Sequence, residues 1–274
     1  MPETERRSDI AGPPNVNLQS IDRSDGRIAI VTIDNEAKLN VLGSRLMDQF
    51  VDVFAALHAD PDLRGVVLTG AGERSFVGGA DVNEMAKLGS PDEARAFITR
   101  VHRCCAAVRD LPVPVLGRIN GYALGAGLEL AAACDLRIAS DSAIFGMPEV
   151  RLGIPSVVEA ALLPGLIGWG RTRELLLLGD TFDAHAALDM GLVEAICPYT
   201  ELDQAIERRL SALLKGGPHA IRLQKALIRR WEDLPLGQAI AAGINSFAQA
   251  FLTDEPGEAM AAWQDSRRAP PRSQ

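Results

Sequence analysis

The sequence predicts an α/β core followed by an all-helical C-terminal region. Short β-branched runs alternate with segments of helical spacing as far as residue 199, and beyond residue 200 only helical spacing remains. Clusters of glycine and proline punctuate the change from one pattern to the next. With 274 residues, 47% of them hydrophobic and 23% charged, the chain can bury a large core without disulfide or metal staples.

Residues 1–26 are polar and rich in Pro, Asn and Ser, and read as a flexible N-terminal arm. Residues 27–33 (RIAIVTI) are a β-branched run of strand length. Leu46, Phe50, Val53, Phe54 and Leu57 then recur at helical spacing. A second strand, 64–69, runs into a glycine-rich loop at 70–79, and Pro91, Ala94, Phe97, Ile98 and Val101 mark another helix ending before Pro112. Strands are expected at 114–119, 135–139 and 191–196, with a short buried helix at 125–134 between the first two of these. Helices follow at 202–214, 219–231, 236–252 and 257–264, broken at Pro218, Pro235 and Pro256. The organisation is thus an arm (1–26), a core (27–199), a helical region (200–265) that cannot bury both its faces alone, and a basic, Pro-rich tail (266–274).

Several function classes are disfavoured. Lys and Arg number 28 against 36 Asp and Glu, a net charge of −8, which is unsuited to coating nucleic-acid phosphates. The four cysteines form no CxxC pair and the four histidines no HxxxH or HExxH pair, so a reduced cytoplasmic chain without a metal site is expected. The apolar stretch 152–170 contains Pro155, Glu159 and Pro164, and 116–130 contains Arg118 and Glu129; neither reads as a membrane span. Gly70-x-Gly72 and Gly125-Ala-Gly127 each begin like a dinucleotide fingerprint, but Ser75 and Leu130 stand at the third glycine, which weakens a nicotinamide dehydrogenase reading.

Two segments carry chemistry. In 75–85, Gly78 and Gly79 let main chain approach a ligand, and Asp81 is placed to cap a helix through Met85; a plain turn with an N-cap reads equally well. In 119–130, small residues at 125–127 leave unobstructed N–H groups at a helix N-terminus, suited to a developing oxyanion, although tight packing also calls for small residues. Glu129 stands among leucines and alanines in a segment built for burial, where a carboxylate must be paired or neutralised. Glu149 follows on a Pro-fixed loop in similarly small, apolar surroundings. Two carboxyls beside an oxyanion site suit water addition to, or proton movement on, an activated acyl group.

The segments 75–82 (SFVGGADV), 119–130 (INGYALGAGLEL) and 145–155 (FGMPEVRLGIP) resemble, in order and spacing, the enoyl-CoA hydratase/isomerase (crotonase) superfamily, over about residues 28–270. The resemblance implies a crotonase-like ββα spiral core with a C-terminal helical oligomerisation region forming a homotrimer or a dimer of trimers. It also implies an acyl-CoA substrate with no cofactor beyond the coenzyme A it carries. The matching positions make the Ala80 and Ala126 amides the oxyanion hole, and Glu129 and Glu149 the catalytic pair, both retained as in the hydratases. Coenzyme A is then expected over Ala37, Lys38 and Leu39 and against Gly79, Asp81, Val82 and Asn83, with Gly125 and Pro148 also in the site. On this reading Glu129 is the base, held ionised by its helix terminus, and Glu149 the acid.

Two departures stand out. Asn83 replaces a common lysine, and 155–161 (PSVVEAA) replaces a glycine-rich stretch that lines the acyl pocket in relatives. Val157 and Glu159 should reshape that pocket for a polar or branched acyl group, with isomerase or other lyase chemistry as the alternative. Glu159 could equally face outward or pair with Arg151 or Arg171. A non-catalytic acyl-CoA-binding scaffold is the reading from a different class.

Overall fold

The computed structural model describes residues 13–268. Ten strands and ten helices follow one another there, with four short 3-10 turns among them. In chain order the structure runs β1 (Asn15–Arg23), β2 (Gly26–Asp34), α1 (Ser44–His58), β3 (Leu63–Gly70), β4 (Ser75–Val77), α2 (Val82–Met85), α3 (Pro91–Asp110) and β5 (Val115–Ile119). It continues with β6 (Tyr122–Leu124), α4 (Ala126–Ala133), β7 (Leu136–Ser140), β8 (Ile144–Gly146), α5 (Leu163–Leu178), β9 (Thr181–Asp183), α6 (Ala184–Asp189) and β10 (Ala195–Cys197). Four helices close the chain: α7 (Leu202–Leu214), α8 (Pro218–Trp231), α9 (Leu236–Ala250) and α10 (Glu255–Arg268).

A six-stranded sheet has the order β1-β2-β3-β5-β7-β10, parallel except for the β1–β2 hairpin. Its central strands are buried on both sides, and alternation along them separates two cores. Ile28, Val67, Leu116 and Ile138 face Leu202, Ile206 and Leu210 of α7. Ala29, Val31, Val66, Leu68 and Val115 belong to the larger core with α1, α3 and α4, where Phe50 and Phe54 stack at 4.5 Å. A second sheet, β4-β6-β8-β9, lies over that larger core and carries the loops of the site.

Three sequence expectations need correction. Asn15–Arg23 is not loose but pairs along its length with β2. It is an edge strand with only Val16 buried, so its polar composition hides it. Residues 1–12 of that arm, and 269–274 of the tail, lie outside the described residues. The strand expected at 191–196 is confined to Ala195–Cys197, because Gly191, at φ +79°, closes α6 first. The second sheet was not anticipated at all, since its strands are three residues each and too short to show a period.

Helix α4 approaches β4 so closely that a Cβ on Gly127 would stand 2.0 Å from the Val77 carbonyl oxygen. Gly127→Ala should therefore destabilise the protein by about 3 kcal/mol, the upper range for overpacking. Urea unfolding reads this directly; a change below about 0.5 kcal/mol, the size of a neutral surface substitution, would mean that α4 slides freely on β4.

Candidate active site

The loop after β2 is tied to the glycine-rich loop by Asn40, whose Nδ2 donates to the carbonyls of Ala71 (2.9 Å) and Ser75 (2.7 Å). The Leu39 carbonyl accepts from the Gly78 N–H and from the Ser75 hydroxyl, both at 2.8 Å. Leu42 bridges Ala80, taking up the Gly79 carbonyl and the Asp81 N–H, and leaves the Ala80 N–H turned to the other side. Asp81 caps α2, accepting from the N–H of Asn83 at 2.8 Å. Across the site, Gly125 holds φ +51°, ψ −120°, and starts α4 so that the Ala126 N–H has no carbonyl of its own helix to bind.

Ala80 and Ala126 line one cavity of about 130 Å³ together with Glu129 and Glu149. Its other walls are Gly78, Gly79, Val82, Met85, Ile98, Val101, Leu124, Gly125, Pro148, Leu152, Ile154, Pro155 and Val157. Glu149 closes directly over the start of α4: a Cβ on Gly125 would stand 2.3 Å from Glu149 Oε1. Glu149 Oε2 accepts from the Ser156 hydroxyl at 2.8 Å.

Glu129 is 5% exposed, and its Oε1 accepts from the Ala160 N–H at 3.3 Å. Burial first, then the charge of Glu149, push its carboxyl up to about 8, while the Ala160 bond works against this and Glu159 adds to it. The free site therefore keeps a proton on Glu129 at neutral pH. This runs against the expectation that the terminus of α4 holds Glu129 ionised: burial in an apolar segment is the leading cause of the upward shift.

Of the residues named from sequence, Gly79, Ala80, Val82, Gly125, Ala126, Glu129, Pro148, Glu149 and Val157 meet in this wall. Ala37, Lys38 and Asn83 are exposed outside it, and Leu39 and Asp81 hold the loops by hydrogen bonds. Glu159 does not line the cavity: it is 4% exposed, one layer behind, with Oε1 2.9 Å from His102 Nδ1. Neither proposed arginine partner reaches it, since Arg151 pairs with Asp180 and Arg171 with Glu174. Ile98 and Val101 of α3 were legible as helix core but not as cavity wall, and Ser156 gave no signal beyond its place in the altered stretch. Among the described residues no group of three or more His, Cys, Asp or Glu is arranged to hold a metal ion, and no helix is long and apolar enough to cross a membrane.

Two carboxyls and two main-chain N–H groups at one small apolar cavity are an arrangement chemically suited to acting on an acyl carbonyl. Residues 23–273 match the enoyl-CoA hydratase/isomerase family, and the chain belongs to it. It is 34% identical over 245 residues to the short-chain-enoyl-CoA hydratase of Clostridium acetobutylicum, covering 89% of this chain and 94% of that protein. It is 33% identical to the crotonyl-CoA hydratase of Syntrophomonas wolfei over 89% of this chain and 94% of that protein. The crystal structure of an enoyl-CoA hydratase from Bacillus anthracis superposes with a TM-score of 0.86 at 30% identity, over 92% of this chain and 96% of that one.

The proton on Glu129 has a stability consequence. Its folded value of about 8 lies above the ordinary 4.5, so folded chains hold a proton that unfolded chains lose as pH rises between the two. Ionisation then penalises the folded state. Glu129→Gln, which cannot ionise, should become progressively more stable than the parent from pH 5 to pH 9, reaching about 2 kcal/mol or more. Denaturation midpoints at several pH values check this; a gap independent of pH would contradict the buried-proton description.

Proposed function

We propose that the chain is an enoyl-CoA hydratase, adding water across the 2,3 double bond of a short acyl-CoA thioester. The observation carrying this reading is the meeting of Ala80, Ala126, Glu129 and Glu149 in one cavity. The thioester oxygen accepts from the Ala80 and Ala126 N–H groups, which draws electrons from the double bond and makes Cβ electrophilic. The step needs one carboxyl of the pair ionised and the other protonated. Its ionised member takes a proton from water as the oxygen bonds to Cβ; its protonated member gives a proton to Cα as the enolate collapses. The new C–OH and Cα–H bonds account for the whole water molecule, and the pair again holds one proton.

Coenzyme A is part of the substrate and lies over the exposed 37–39 loop with Lys38 at its phosphates; no separate cofactor is invoked. A cavity near 130 Å³ with apolar walls suits a short acyl chain, comparable in size to an engineered pocket of about 150 Å³ that accepts benzene. With Glu159 removed from the wall, the motive for a polar acyl group is gone. The names of the two relatives above, short-chain-enoyl-CoA and crotonyl-CoA hydratase, support the same range.

Helix α9 and its C-cap Phe251 expose Leu236, Ile240, Ile244, Phe247 and Phe251, spaced four, four, three and four residues apart. Such a stripe is unfavourable in water, and we assign it to contact between copies in a homotrimer or a dimer of trimers. Sedimentation equilibrium should return three or six times the chain mass; a monomer at micromolar concentration would remove this assignment.

With crotonyl-CoA, Glu129→Gln and Glu149→Gln should each lose about 10²-fold or more in kcat. The parent's kcat/KM should decline above pH about 8, as the last proton leaves the pair. Either variant hydrating at the parent rate would overturn the hydratase reading, and binding of crotonyl-CoA without turnover by the parent would favour a scaffold.

A further inference from the structure

The altered stretch 155–161 touches both glutamates from beside the cavity. The Ser156 hydroxyl donates to Glu149 Oε2 at 2.8 Å, and the Ala160 N–H donates to Glu129 Oε1 at 3.3 Å. Ser156 is half-buried and no part of the cavity wall, although Pro155 and Val157 on either side of it are. The other oxygen of the same carboxyl, Glu149 Oε1, stands over Gly125, which opens α4 and lines the cavity. The two oxygens of Glu149 therefore differ. One is bound by a hydroxyl outside the wall, and the other is presented at the site.

The chain that carries Ser156 is held independently of that bond. Val158 has φ +40°, a region β-branched residues rarely adopt, and it packs against the larger core. The 3-10 turn it opens, Val158–Leu162, rests on α4, and Glu159 of that turn meets His102 Nδ1 of α3 at 2.9 Å. Glu149 is the looser partner. Its own 3-10 turn, Pro148–Leu152, has no buried residue, and Ser156 is the only side chain hydrogen-bonded to its carboxyl among the described residues.

We propose that Ser156 is a positioning residue for hydration: its hydroxyl occupies Glu149 Oε2 and so reserves Oε1, the oxygen over Gly125, for the proton exchanged with the substrate or water. This rests on the hydratase reading. A free glutamate side chain rotates about each of its bonds and can offer either oxygen; one donor on a fixed segment removes much of that freedom before substrate arrives. Both protonation states of Glu149 are compatible with the bond, because a carboxylic acid keeps an acceptor oxygen.

A merely structural Ser156 would brace the loop that carries Leu152, Ile154 and Val157 into the wall, and its loss would appear in KM or in stability. A positioning Ser156 acts on kcat through Glu149. With crotonyl-CoA, Ser156→Ala should lose about tenfold in kcat while KM stays within about twofold of the parent. Ser156→Thr, which keeps the hydroxyl, should recover most of that loss. Placed in a Glu149→Ala background, Ser156→Ala should cost nothing further, since the group it orients is gone. The parent kcat in Ser156→Ala, a loss confined to KM, equal losses in the Ala and Thr variants, a second loss of about tenfold in the Glu149→Ala background, or failure of Ser156→Ala to fold overturns the proposal. If Glu149→Gln loses hydration while Ser156→Ala keeps the parent kcat, this inference alone fails; if Glu149→Gln hydrates at the parent rate, the hydratase reading itself has failed.

Discussion

The backbone of α4 lies directly against the Val77 carbonyl because position 127 has no side chain. That approach fixes three things at once. It sets the N-terminal amide of α4 beside the loop that bears Ala80, buries Glu129 in the cavity wall, and brings Gly125 under the carboxyl of Glu149. Since interiors are close-packed, a helix seated this tightly cannot drift, and the donors it carries are oriented before any substrate arrives.

Electrostatics in such a seat are decided by desolvation. A glutamate in the first turn of a helix is ordinarily favoured as the anion, yet Glu129 keeps its proton because its surroundings are leucine, alanine and another carboxylate. In the proposed hydration, a buried carboxyl that keeps its proton is the kind of donor that water addition requires. The cost is a folded state held below its attainable stability, a common feature of sites where buried polar groups serve chemistry.

The stretch 155–161 illustrates how a substitution can change the support of a site without entering its cavity. Only Pro155 and Val157 of this stretch reach the wall; Ser156 and Ala160 donate to the two glutamates from beside it, and Glu159 is buried against His102. Sequence position near a pocket was read as contact with its contents, and the tertiary arrangement separates the two. His102, 57 residues away along the chain, had no sequence feature linking it to Glu159.

By itself the sequence determined the succession of long elements, because helices and central strands are written in periods that a dozen residues suffice to display. It also marked Glu129 and Glu149 as acids in the wrong company, and the 75–82, 119–130 and 145–155 segments carried the family. Tertiary structure alone decided what depends on distance and solvent: that the edge strand β1 pairs with β2, that four three-residue strands make a second sheet, that Ile98 and Val101 wall the cavity, and that burial pushes the Glu129 carboxyl up. A residue's type fixes which charges it can carry. Only its burial and its neighbours, set by contacts far apart in the chain, fix which of them it keeps.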